Sequence, residues 1–501
     1  MEGPAPLLPR LSLRAVRAER SGGLALRYAP ARQSVGIVHI GLGNFHRAHQ
    51  AVHVDEALAA GESDWAISAW NLHSRSLPQS LASQDGLYTL LVRGSQGTDA
   101  RLLGPIREAG CAEETPARLL ERLASPSTRI VSLSITEKGY CLNAEGVLET
   151  NDPALAADLA GAWPPRTALG WLAAGLVTRH ARHPTARITL LSCDNLSGNG
   201  RALEHALDAL LRARAQPALA DRLPEIASFP NTMVDRIVPA TTDADRALAA
   251  RLTGLADACP VATEPFSQWV IEDRFAAGRP GFEKSGVTLS DDVAGWEQMK
   301  LRLLNAAHSV IAYLGMLAGW RTVDEALSQP QVAMLLERLW TSEAIPALPE
   351  RLHSRAPAYC ASLVGRFANT ALAHQTAQIA MDGSKKIPLR WLPTVLTLDR
   401  RGQPWPVLAL ALAAWISCLE TLCPPHEGKP PPHAVSDPLA AALAPLARHA
   451  DPLEAVQAVL RAVPGLVALA QRPNACAVIA QALATLRAHG PRESIQRLNG
   501  A

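Results

Sequence analysis

The sequence predicts an α/β domain built on a parallel sheet, followed by an all-helical domain. Three observations carry that reading. Short β-branched, apolar runs alternate with helical stretches through the first half of the chain. The first of those runs ends in a Gly-x-Gly turn. From Trp296 onward strand signals almost vanish while helical periodicity continues. Alternation of strands and helices gives a parallel sheet covered by helices on both faces.

The elements follow in order. Residues 1–34 read as a basic, irregular leader without the apolar core of a signal peptide. The run Val35-Gly36-Ile37-Val38-His39-Ile40 is the first strand, and a helix is expected over Ala48 to Leu58. Further strands are Trp65 to Trp70, Tyr88 to Val92, Arg129 to Ile135 and Arg187 to Ser192. These place an α/β domain over 35–285 and a helical domain over 286–501. In the second domain helices are expected over Trp296–Leu317, Gln329–Glu343, Leu408–Leu422, Asp437–Arg448, Pro452–Ala462 and Ala475–His489. The stretch CPPHEGKPPPH, from Cys423 to His433, is a surface loop by composition. The apolar stretch from Pro404 to Leu422 contains Glu420 and few bulky residues, which suits a buried helix better than a membrane span.

Composition excludes several classes. A chain of 501 residues holds two or three domains. A net charge of +2 argues against nucleic acid as a partner. Eight scattered cysteines form no C-x-x-C pair and no disulfide framework, so a reducing cytoplasm fits best. No H-E-x-x-H motif or clustered Cys/His set appears, so no metal site is expected. No tyrosine is followed by lysine four residues on, and neither a G-x-S-x-G elbow nor a P-loop is present.

The first strand leads directly into Gly41-Leu42-Gly43-Asn44-Phe45-His46-Arg47. Gly41 and Gly43 fill the first two glycine positions of G-x-G-x-x-G, and His46 takes the third. The first glycine permits a tight turn, and the second lets backbone approach a pyrophosphate at the start of the next helix. The same residues also fit a β-α turn with no ligand. Gly41, Gly43, Asn44, Phe45 and Arg47 are the candidate cofactor contacts. No acid lies between Ala66 and Ser83 to read a ribose 2′-hydroxyl. Asn71 can bond that hydroxyl neutrally, while Ser74 and Arg75 can accept a 2′-phosphate. NAD is the expected coenzyme, with NADP left open.

Lysine is scarce: there are six, against 42 arginines. Lysine can lose its proton near neutral pH when desolvated, whereas arginine effectively cannot. Lys300 lies in WEQMKLRLLNAAHS. On a regular helix, with Lys300 at 0°, Glu297 falls near about 60°, His308 near about 80° and Asn305 near about 140°. Four polar residues thus share one side, either as a solvated face or as a working one. Two further polar clusters are Ser192-Cys193-Asp194-Asn195 and Asn231-Thr232-Met233-Val234-Asp235-Arg236. The first follows an apolar strand, at the end where parallel sheets bind ligands.

The stretches IVHIGLGNFHRAHQA, QDGLYTL, TEKGY, SCDNLSGNG, FPNTMVDRIVP, EPFSQWVIED, MKLRLLNAAHSVIAYLG and MDGSKKIP resemble the mannitol dehydrogenase family of long-chain, metal-independent polyol dehydrogenases. TEKGYC, TMVDRIVPA and QIAMDGS resemble its fructuronate reductase branch. Many polyol-specific members place Arg where this chain has Gln378. The resemblance implies a Rossmann-like domain, a helical substrate domain and an NAD(P)-dependent oxidoreductase interconverting D-mannonate and D-fructuronate. It implies Lys300 as general base, and Asn195 with Asn305 as the pair holding the reacting oxygen. It further implies His308 as a substrate contact, Glu297 as a proton relay and Asp235 as a polar active-site residue. A substrate carboxylate would need a basic partner, with Arg236, Lys385, Lys386 and Arg390 as candidates. Substrate is expected between the two domains, with Lys300 in that cleft. The alternatives are a mannitol 2-dehydrogenase or related polyol enzyme, and a non-catalytic dinucleotide sensor. No membrane partner is expected, and the oligomeric state stays open.

Overall fold

The computed structural model describes residues 8–18, 24–143, 145–422 and 436–500. Two compact units divide at Ala294/Gly295. The expected Pro-rich loop at 423–433 lies outside the described residues.

The first unit is organised by a six-stranded parallel sheet. Its strands are β1 (Val35–Ile40), β2 (Ala66–Asn71), β3 (Ile106–Cys111), β4 (Ile130–Leu133), β5 (Ile188–Ser192) and β6 (Ala227–Ser228). Their spatial order is β3-β2-β1-β4-β5-β6, all parallel. That is the doubly wound dinucleotide-binding order, with the chain reversing direction across the sheet between β1 and β4. The central strands read as continuous apolar runs because both faces are covered. Ile37, Val38, Ile67, Val131 and Leu190 are all essentially buried. β3 escaped the sequence reading because IREAGC is neither alternating nor β-branched. Parallel pairing with β2 makes it a strand.

Three further corrections come from this unit. Tyr88–Gly94 is a strand, but it belongs to a separate three-stranded sheet with Gly97–Leu103 and Val261–Thr263. The leader is partly ordered: Leu13–Ala18 is helical, Leu11 is fully buried, and the Leu11 amide donates to Ala256. The helix after the turn is two helices, Asn44–Ala48 and Gln50–Ala59, broken at His49 (φ −126°, ψ −88°). Here His46 occupies the third glycine position. Instead of close helix–strand contact, its ring lies flat on that of His39 in β1, with centroids 3.5 Å apart.

Among its described residues the second unit is built of helices. Pro406–Thr421 is its buried axis, with every residue from Val407 to Leu419 inside. The expected helix from Trp296 is three consecutive segments: Val293–Met299, a π-helical turn over Lys300–Asn305, and Ala306–Ala318. A second π turn covers Leu339–Ala344.

Candidate active site

In the first unit the turn after β1 has the shape its sequence asks for. Gly41 sits at φ +106°, and a Cβ there would lie 2.1 Å from the Ser134 carbonyl oxygen. Only glycine fits. Gly43 is extended, and a Cβ there would meet nothing nearer than the Gly41 oxygen at 3.8 Å. Gly43 therefore leaves an open cradle above the turn, the space a pyrophosphate needs for close backbone approach. Asn44 and Arg47 brace this cradle. The Asn44 amide donates to the Pro239 carbonyl and the Thr241 hydroxyl, both at 3.2 Å. Arg47 is 2% exposed and donates to Gly43 O, Asn44 Oδ1 and Cys259 O. The expectation of direct cofactor contact by Arg47 gives way to support from beneath, because its guanidinium is spent on protein oxygens. Asn71 closes β2 half-buried, beside the polar loop where a ribose reader belongs.

His39 holds the turn from the sheet side. Its Nδ1 lies 2.9 Å from Ser132 Oγ, and its Nε2 lies 3.2 Å from the Gly41 oxygen. Burial pushes its pKa down to about 3, so the ring is neutral and its Nε2–H donates to Gly41.

A cavity of about 650 Å³ opens at the carboxyl ends of β1, β4 and β5. Phe45, Ser134, Thr136, Glu137, Lys138, Cys193, Asp194 and Asn195 line it. This is the switch point of the sheet, where open α/β folds bind ligands. The structure thus brings Phe45 and Asn195 to one cavity with the glycine turn. Tyr140 donates to Asp194 Oδ2 at 3.1 Å, and burial pushes the Asp194 carboxyl up to about 6. Asn199 fixes the loop that presents Asn195. Its amide donates to Asp194 O, Thr232 O and Thr232 Oγ1, each at 3.1 Å, and its oxygen accepts from the Thr232 amide at 2.9 Å. The strand so tied, Thr232–Asp235, carries Asp235, which is 6% exposed. Asn199 lay inside the SCDNLSGNG stretch but carried no sequence signal of its own. Its role is a matter of tertiary bonds.

In the second unit, Glu297, Lys300, Asn305 and His308 lie along one helical rod. The π turn changes their relation. The Ala306 amide donates to the Leu301 carbonyl, an i to i+5 bond. Over that wider turn the angle between Lys300 and Asn305 about the axis is smaller than on a regular helix. π turns occur preferentially where such placement serves function. His308 is 8% exposed, its Nε2 has no hydrogen-bond partner, and its ring packs 4.6 Å from Phe367 and 5.5 Å from His374. Burial keeps it neutral, well below the usual imidazole range.

The basic candidates separate sharply. Arg236 is spent within the first unit: its Nε and Nη2 donate to Glu264 O at 3.3 and 2.9 Å, and its Nη1 donates to Ala48 O. Lys385 is exposed. Lys386 and Arg390 point inward on the same helix, Gly383–Arg390, and both are partly buried. Among the described residues, no group of three or more His, Cys, Asp or Glu side chains is placed to hold a metal ion.

The chain is similar to known proteins across both units. Residues 35–284 match the family model described as the mannitol dehydrogenase Rossmann domain, and residues 292–487 match the mannitol dehydrogenase C-terminal domain. A D-mannonate oxidoreductase of Escherichia coli K12 is 40% identical over 390 residues, 76% of this chain and 79% of the relative. A mannitol 2-dehydrogenase of Pyrenophora tritici-repentis is 40% identical over 387 residues, 76% of this chain and 68% of the relative. The solved mannitol 2-dehydrogenase of Pseudomonas fluorescens, a ternary complex with NAD and D-mannitol, superposes with a TM-score of 0.83 at 35% identity. That match covers 98% of this chain and 99% of the other.

Proposed function

The chain belongs to the mannitol dehydrogenase family of oxidoreductases acting on CH–OH groups, and from that premise we propose that it interconverts D-mannonate and D-fructuronate. The coenzyme is NAD, held at the Gly41–Phe45 turn and the cavity above it, and when bound it supplies the hydride-exchanging group. The open cradle over Gly43 is the observation that supports this coenzyme. NADP remains a competitor because His73, Ser74 and Arg75, not an acid, follow Asn71.

The protein's own part in the reaction is proton handling and orientation. Lys300, unprotonated in the oxidation direction, takes the proton of the reacting hydroxyl at Nζ. In reduction it returns that proton as an ammonium. Asn195 and Asn305 donate side-chain N–H bonds to the same oxygen and stabilise the negative charge that builds on it. Glu297, three residues before Lys300, passes the proton on to solvent. His308, neutral and with Nε2 unsatisfied, offers a neutral imidazole to a substrate hydroxyl. The single observation that best supports the scheme is the π turn, because it narrows the angle between Asn305 and Lys300 relative to a regular helix. No residue in it requires a metal.

The second reading is a mannitol 2-dehydrogenase, favoured by the equal similarity to the fungal enzyme. A small-molecule substrate fits either reading. The seven described cysteines are buried and form no disulfide, which suits the cytoplasm. The test is a spectrophotometric screen of coenzyme oxidation state with fructuronate, fructose, mannonate and mannitol, each with NAD(H) and NADP(H). Turnover of fructuronate above fructose supports the proposal, and the reverse order replaces it with the polyol reading. No turnover with any pair, while dinucleotide still binds, makes the protein a sensor.

A further inference from the structure

We propose that Arg390 binds the carboxylate of the substrate through the Nε–Nη2 edge of its guanidinium. This rests on the reading that the Lys300 face is the reacting one. Arg390 ends the helix Gly383–Arg390 and is laid against the rod that carries that face. Its Nη1 donates to Ser309 Oγ at 2.7 Å and to the Asn305 backbone oxygen at 3.4 Å. The next residue, Trp391, donates its indole N–H to Ala306 O at 3.1 Å and locks the helix in place. One guanidinium corner is thus fixed to Asn305 and Ser309, on either side of His308, and the edge made by Nε and Nη2 has no acceptor among the described residues. That edge is the fork that grips a carboxylate with two parallel hydrogen bonds.

Charge makes the same point. Buried cations in folded proteins are paired. Burial lowers the Arg390 pKa to about 10, and among the described residues no carboxylate pairs with it. Lys386 stands four residues earlier on the same helix. Like charges at that spacing repel, and Arg390 lowers the Lys386 pKa further. Asp382 and Asp437 oppose this at Lys386 alone, and Asp437 already accepts from the Ser384 amide and hydroxyl at 2.7 and 2.6 Å. Arg366 and Arg390 both add positive field at His308, whose Nε2 is buried and unsatisfied. A partly buried arginine, a lysine one turn away and a neutral histidine describe a receptor for a hydroxy acid. A neutral polyol leaves the arginine unanswered.

The experiment compares kcat/KM for fructuronate and fructose in wild type, Arg390→Gln and Arg390→Lys. Thermal unfolding and NADH titration establish that each variant is folded. Removing one partner of a buried charge pair lowers the fructuronate-to-fructose ratio by about 100-fold in Arg390→Gln. Arg390→Lys falls between, because it keeps the charge and loses the fork. A wild-type measurement needs no variant: D-gluconate inhibits fructose reduction more strongly than D-sorbitol, its neutral counterpart. A ratio within threefold of wild type in both variants overturns the role of Arg390, and equal inhibition of wild type by gluconate and sorbitol counts against the acid-substrate reading. A wild type that prefers fructose overturns the acid-substrate reading itself, and the two failures are told apart by the wild-type ratio alone.

Discussion

Replacing His39 by asparagine isolates the energetics of the buried imidazole beneath the coenzyme turn. His39 is fully buried in β1, bonded to Ser132 and to the Gly41 oxygen, and burial holds its pKa at about 3. In the unfolded chain the same imidazole titrates near about 6.5. A folded pKa depressed below the unfolded one means that the unfolded state binds more protons between the two values. The stability this neutral ring contributes is therefore complete above pH 6.5 and is lost progressively as pH falls toward 3. At pH 5 the unfolded imidazole is protonated about 30 to 1 while the native ring is neutral, a cost of about 2 kcal/mol relative to neutral pH. Asparagine at 39 does not titrate, so that increment disappears. Asp194 and Glu343, whose pKa values burial raises to about 6 and about 7, shift stability the opposite way. They do so equally in both proteins and cancel in the difference. Urea unfolding of wild type and His39→Asn at pH 7 and pH 5 measures the increment. Wild type must lose about 2 kcal/mol more than the variant over that interval. Equal losses would refute the depressed pKa and the donor role given to Nε2.

Other expectations follow from the same geometry. Gly41→Ala forces a Cβ to 2.1 Å from the Ser134 oxygen at φ +106°, so fluorescence titration should show dinucleotide affinity reduced at least about tenfold by the displaced turn. Asn199→Asp replaces a donor of three hydrogen bonds with an acceptor. The buried acceptors left unpaired should cost about 1–3 kcal/mol in thermal unfolding, and kcat should fall as Asn195 loses its anchor. Activity should be unchanged after dialysis against EDTA. Loss restored by zinc would reveal a metal role absent from this account.

What the sequence makes legible here depends on how local the cause is. The Gly41–Gly43 turn follows from two residues and their flanking strand, and the structure reproduces it. Strand β3 was invisible because its pairing with β2, not its composition, makes it a strand. The helix break at His49 was equally hidden, since neither glycine nor proline marks it in NFHRAHQAV. On the rod that carries Lys300 the polar residues were legible in the sequence but their rotation about the axis was not. The wheel assumed 3.6 residues per turn throughout, and the π turn at Lys300–Asn305 violates it where alignment matters. Among the basic candidates, residue type could not distinguish Arg236 from Arg390. Only the hydrogen-bond partners show that one guanidinium is spent and the other retains an open edge.

The central claim is that Lys300 handles the proton of the reacting hydroxyl. Its most direct test is Lys300→Ala, assayed for turnover in both directions and for dinucleotide affinity by fluorescence titration. The account predicts turnover about 10²–10⁴-fold below wild type, with dinucleotide binding preserved because the Gly41–Phe45 turn lies in the other unit. Turnover at the wild-type level would contradict it.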